Sequence, residues 1–176
     1  MATWVAFLRA INLGATRKFA KADIVAATEA AGFAEVATHI NTGNVRVETT
    51  KRSRARIEEA LEAAYEERAG FAVPTICFTA ADLRDVAAFA DEIGAGHTGR
   101  HYVSLLKDEP SAATIIALEG QSTEQEKVHV DGRGVHLLLG ENYHTASLSN
   151  TAVEKALGVA TNRNVTVIRA IVQKWC

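Results

Sequence analysis

Apolar and polar positions along this chain change period often enough to spell out short elements. Residues 3–10, TWVAFLRA, form a compact apolar run rich in β-branched and aromatic side chains, which predicts a buried strand. Asn12 and Gly14 then break it. Ile24, Ala27, Thr28 and Ala31 recur at helical spacing over 21–31, and Gly32 follows as a stop. VATHI at 36–40 and VRVET at 45–49 predict two short strands. Asn41-Thr42-Gly43-Asn44 between them is turn chemistry, because Asn and Gly adopt positive φ at low cost. Ser53 is placed to cap a helix over 54–69, with Ile57, Leu61, Ala64 and Tyr65 on one face and Gly70 at its end. VPTICF at 73–78 predicts another strand. The order β-α-β-β-α-β is ferredoxin-like.

The second half repeats much of this order. A linking helix is predicted over 82–90, a strand over 101–106 (HYVSLL), and a helix over 111–119 between Pro110 and Gly120. KVHV and VHLLL predict a hairpin around Asp131-Gly132-Arg133-Gly134. Asn150 is placed to cap a helix over 151–157. A last helix, starting near Arg163, sets Val165, Ile168, Ile171 and Val172 on one side. No repeat is visible residue by residue, so the duplication is one of topology. The expectation is an α+β chain of two ferredoxin-like halves packed together. Residues 1–80 are the first half and 81–100 a linking helix with a glycine-rich linker. Residues 101–176 are a second half ending in two helices.

Composition changes the picture by exclusion. The chain has 176 residues, 48% hydrophobic and 23% charged, with a formal net charge of −2. Those values fit ordinary globular domains and argue against disorder. A duplex-binding surface is usually basic, so nucleic acid is not an expected partner. Cys77 lies in an apolar strand pattern and Cys176 is remote from it, without metal spacing, so no disulfide or metal is expected. The first ten residues lack the basic region of a signal peptide, and no apolar run approaches the ~20 residues that span a bilayer. A cytoplasmic location with no membrane partner is the expectation. Oligomeric state is not legible.

Several motifs invite a chemical reading. Gly94-Ala95-Gly96-His97-Thr98-Gly99 matches G-x-G-x-x-G, but a dinucleotide needs a strand before the motif and a helix after it. Here that order is reversed, so a flexible linker is expected and no cofactor. Lys51, Arg52, Arg54 and Arg56 form a basic run that Glu58, Glu59 and Glu62 balance on the same helix. The strand VRVET carries no aromatic on which an RNA base would stack. With the hairpin turning at Gly132-Arg133, His129 faces His136 across the strands as a solvent-facing pair, and two imidazoles alone are not a metal site. No nucleophile elbow, zinc-protease helix or Walker loop is present.

Three segments carry a resemblance to a known family. Arg9-Ala10-Ile11-Asn12-Leu13-Gly14 follows the first strand and resembles an R-G-I-N-x-G turn. Ala31-Gly32-Phe33 and Ile40-Asn41-Thr42-Gly43-Asn44-Val45 resemble L-G-F followed by I-x-S-G-N-V. Ala160 to Val167, ATNRNVTV, is similar to T-x-R-N-W-x-T-V. In this order they are similar to the family called domain of unknown function 1697. Ala10 stands where the pattern has glycine, Thr42 where it has serine, and Val165 replaces the tryptophan with one residue missing after it. The resemblance implies a fold and a set of positions, not a reaction. Those positions are Arg9, Asn12, Gly14, Lys18, Asn41, Asn44, Arg163 and Asn164.

Two accounts of that set follow. The asparagines either hold backbone groups in tight turns or, with the arginines and lysine, surround a ligand. The leading functional expectation is a small anionic or phosphorylated ligand beside the end of the first strand. Arg17 and Lys18 would supply charge, and Arg163 and Asn164 would supply a helix start. The alternatives are an enzyme acting on a phosphorylated small molecule, with His39 the nearest acid–base candidate, and a protein-interaction module that pairs through an open sheet edge.

Overall fold

The computed structural model describes all 176 residues. The element order is β1 (Ala2–Leu8), α1 (Lys21–Ala30), β2 (Ala34–His39), β3 (Asn44–Thr49), α2 (Arg54–Ala69), β4 (Thr75–Thr79), α3 (Ala80–Ile93), β5 (Arg100–Leu106), α4 (Ala112–Glu119), β6 (Glu126–Asp131), β7 (Gly134–Leu139), α5 (Asn150–Leu157), β8 (Ala160–Asn164) and α6 (Val165–Trp175). It forms two α+β units. Met1–Ala80 with Trp175 make the first, and Ala81–Lys174 with Cys176 the second.

The first unit carries a four-stranded antiparallel sheet in the order β2-β3-β1-β4, the ferredoxin-like arrangement. Alternation along its strands decides which residues reach α1 and α2. Trp4, Ala6 and Leu8 of β1, Val45 and Val47 of β3, and Cys77 of β4 share one buried cluster with Ile24, Ile57, Leu61 and Tyr65 of the helices. Ser53 caps α2 by accepting from the Arg56 N–H, and Gly70 closes it in the left-handed region. α2 also seals a sheet edge. Glu58 accepts from the Cys77 N–H at 2.9 Å, and Glu62 accepts from the Thr75 N–H at 2.8 Å. Those outward N–H groups of β4 are therefore taken, which closes this edge to strand pairing. Arg54, from the basic run, pairs with Glu58 one helical turn on.

The second unit repeats the arrangement as β6-β7-β5-β8. One face of its sheet, with Leu106, Val128, Val135, Leu137, Leu139 and Ala160, packs on Leu118 of α4 and Val153 of α5. The hairpin turns at Gly132-Arg133, and His129 stands opposite His136 as the register predicts. Two details differ from the sequence expectation. Ser149, not Asn150, caps α5. Residues 160–164 form β8, an edge strand paired with β5, so a strand separates the last two helices and α6 starts only at Val165. That strand reads ATNRN and carries too little apolar pattern to announce itself. Residues 94–99 form a largely exposed turn whose ends lie close to other residues, since a Cβ at Gly99 would lie 1.9 Å from the Leu139 carbonyl oxygen. No helix is long and apolar enough to cross a membrane.

Candidate functional site

The end of β1 and the β2–β3 turn meet at one end of the first sheet's central strands. The Leu8 N–H donates to the Gly43 carbonyl at 2.8 Å. Gly43 has φ +77°, and a Cβ there would lie 2.7 Å from Leu8 Cβ and 2.9 Å from Ile11 Cδ1. Only glycine fits both the conformation and the space. Asn12 ties the loops together. Its side-chain oxygen accepts from the Phe19 N–H at 2.9 Å, and its amide donates to the carbonyls of Phe19 and Asn41 at 3.3 and 3.0 Å. Asn44, fully buried, donates to the His39 carbonyl at 2.9 Å and to Thr42 Oγ1 at 3.0 Å. Both asparagines thus hold turns, as the structural reading of them expects.

Backbone strain concentrates in the same two loops. Ala10, Asn12, Gly14 and Ile40 have φ of 57°, 55°, 64° and 49°. A β-branched residue such as Ile40 is rarely left-handed, and such outliers gather where a structure is over-determined for function. Gly14 has no heavy atom within 4 Å of where a Cβ would stand, so conformation rather than crowding calls for glycine there. Arg17 differs from the expectation. Its Nε donates to the Ala10 carbonyl and its Nη2 to the Ala72 carbonyl, both at 2.7 Å, and its guanidinium lies 4.5 Å from the Phe71 ring centroid. It braces the loop and is not an open cation. Lys18 and Lys21 are exposed, Arg9 is half-buried, and the Arg9 N–H donates to the Pro74 carbonyl.

The loop leads directly into α1, whose N-cap position, Ala20, provides no side-chain cap. Ser53, Ser111, Ser149 and Asn164 cap α2, α4, α5 and α6. Uncapped first-turn N–H groups and the helix dipole favour negative charge. Asn12, Lys21, Ile24, Thr38, Asn41 and Asn44 line a narrow depression here that has no room for a water molecule. A wider groove of about 560 Å³ between α1 and α2 is lined mainly by alanine methyls, including Ala26, Ala30 and Ala63, together with Glu67 and Arg68.

The other two positions of the set, Arg163 and Asn164, belong to the second unit. Arg163 is buried on β8, and its Nη1 donates to Thr161 Oγ1 at 2.9 Å and to the Asn162 carbonyl at 2.7 Å. Burial pushes its pKa down to about 10, so it stays charged at neutral pH. Asn164 caps α6, accepting from the Thr166 N–H and hydroxyl at 2.9 Å each.

Sequence reasoning missed the environment of His136. The residue does face His129, but it is fully buried instead of solvent-facing. His136 Nδ1 lies 3.1 Å from Nε2 of His101, and the Phe89 ring stacks edge-on at 5.1 Å. The near-continuous apolar run of VHLLL carried a signal, since a histidine within such a run in a central strand is a candidate for burial.

The comparisons agree with this architecture. A family model described as "Protein of unknown function (DUF1697)" matches residues 1–136. The structure of a conserved bacterial protein from Streptococcus pneumoniae is similar, with a TM-score of 0.79 and 18% identity, covering 98% of this chain and 97% of that one. That likeness concerns the fold. No curated protein matches the chain.

Proposed function

The chain belongs to that family, and from this premise we propose that it binds a small anion, or the phosphate of a phosphorylated metabolite, at the loop between β1 and α1. The observation that carries the reading is the uncapped start of α1 at Ala20, which follows a loop held in left-handed backbone by Asn12 and Arg17. First-turn N–H groups would donate to the anion, and the helix dipole would favour its charge. Exposed Lys18 and Lys21 would add positive charge. Because the neighbouring depression does not admit water, the ligand would seat on the surface, against the first turn of α1. Asn12, Asn41 and Asn44 would hold the loops rather than touch the ligand. The proposal does not use Arg163 and Asn164, whose side chains serve β8 and the start of α6.

Titration calorimetry with inorganic phosphate and with pyrophosphate tests this. Saturable binding is expected, weakened by about tenfold or more when Lys18 and Lys21 are both replaced by Ala, since a hydrogen bond to a charged group contributes roughly 1.5–3 kcal/mol. Unchanged binding in that variant would remove the site from this loop. The enzyme reading stands second. The histidines that burial holds below their ordinary pKa, His101 and His136, belong to the second unit and not to this loop.

A further inference from the structure

In the second unit, His101 on β5 and His136 on β7 point to one face of the sheet, diagonal across the strand pair. His101 Nε2 and His136 Nδ1 lie 3.1 Å apart, with the residues 7% and 0% exposed. One nitrogen must donate and the other must accept, so the bond exists only while at least one ring is neutral. His136 Nε2 is buried and has no partner. A first proton can go to a ring nitrogen outside the bond and leave it in place, whereas protonating both rings would replace the N–H···N bond by two opposed N–H groups in a buried site. A Cβ built on Gly94 would meet His101 Nδ1 at 3.1 Å, and one on Gly134 would meet His136 Nε2 at 3.3 Å. The turn at 94–99 is thus packed on His101 from one side and on the Leu139 backbone through Gly99.

We propose that the His101–His136 pair is an acid-sensitive latch between β5 and β7, packed against the 94–99 turn at Gly94, that opens when both rings are protonated. The charged and titratable groups around it decide the direction. Burial is the largest influence on both rings, lowering His101 to about 4 and His136 to about 3. Arg169 of α6, His97 of the turn and His129 of β6 oppose a positive charge on His101, while Asp91 of α3 favours one. His101 and His129 oppose a charge on His136. Asp91 is held by Arg169 Nε at 2.8 Å, so a cationic His101 leaving its partner would compete for that carboxylate. The turn and β6 also wall a pocket of about 320 Å³, lined by Ile93, His97, Lys127, His129 and Leu138.

The sign follows from the lowered values. In the open state the imidazoles return to about 6.5 and bind protons that the closed state excludes. The closed state is fully favoured above that pH. It loses about tenfold per pH unit for each histidine as the pH falls toward the folded values. Amide hydrogen exchange on the full chain, expressed as protection factors, reads this directly. Between pH 7 and pH 5, protection of residues 97–104 and of β7 should drop at least tenfold more than that of β1 and β3. A drop no larger than in β1 and β3 overturns the latch. The double variant His101→Leu/His136→Leu should abolish the difference, and its persistence also overturns the proposal. Should that variant fail to fold, imidazole ¹⁵N shifts of the unmodified protein decide. At least one ring should remain neutral at pH 5.5 wherever protection remains. Titration of both rings near 6.5 with protection intact refutes the latch.

Discussion

Replacing Ala10 by glycine should stabilise the protein, against the usual sign of that change. Ala10 has φ 57°, and the left-handed region costs a residue with a Cβ roughly 1–2 kcal/mol. Glycine removes that cost. It also frees the unfolded chain, which opposes the gain by about 0.4–1 kcal/mol. The methyl of half-buried Ala10 contributes some fraction of the ~0.8 kcal/mol that a fully buried carbon would. The Arg17 bond to the residue 10 carbonyl uses backbone and survives the change. Strain is the largest of these terms, so the net expectation is a gain of about 0.5 kcal/mol, roughly 1–2 °C in Tm for a chain of this size. Ala63→Gly on the exposed side of α2 is the control. It should destabilise by about 0.8–1 kcal/mol, because glycine in a helix interior gains no compensating relief. Urea unfolding of both variants gives the comparison. If Ala10→Gly destabilises as much as Ala63→Gly, residue 10 is not left-handed and the strained-loop argument fails.

Other substitutions probe separate contacts. Gly43→Ala forces a Cβ against Leu8 and Ile11 at positive φ, and denaturant unfolding should show a loss of about 2 kcal/mol or more. Glu58→Ala leaves the buried Cys77 N–H without its acceptor. A cost of about 1–3 kcal/mol is expected in the same assay, with Glu59→Ala, on the exposed side of α2, near zero. Gly99→Ala cannot keep its backbone against Leu139, so the imidazole shifts of His97 and His101 should move even where the chain still folds.

Those contacts show which parts of the fold were legible in the sequence. Ser53 and Gly70 bounded α2 because capping and left-handed closure are local chemistry, readable from a few residues. The hairpin register at His129 and His136 was equally legible, since a two-residue turn sets it. β8 was not, because ATNRN becomes a strand only by pairing with β5. Tertiary contact is also why the burial of His136 was not legible. Its neighbour His101 lies 35 residues away, and no local pattern joins them. At the candidate site the turn-forming character of the loop residues is legible in the sequence, but their contacts are not. Arg17 was expected to supply open charge, yet the carbonyls of Ala10 and Ala72 engage it. The absence of a Ser, Thr, Asp or Asn at Ala20 was plain in the sequence, but it gains meaning only beside the strained loop.

The most direct test of the anion site is a phosphate titration followed by backbone amide shifts, in the native chain and in Ala20→Asp. An aspartate at this position would cap α1 with its own carboxylate and occupy the N–H groups proposed to meet the ligand. The account predicts saturable shifts confined to residues 12–23 and 40–44 in the native chain. It predicts their loss in Ala20→Asp, along with a gain in stability of roughly 0.5–2 kcal/mol from the new cap. Shifts that persist in the variant, or that map instead to the basic run at Lys51, Arg52 and Arg56, would contradict it.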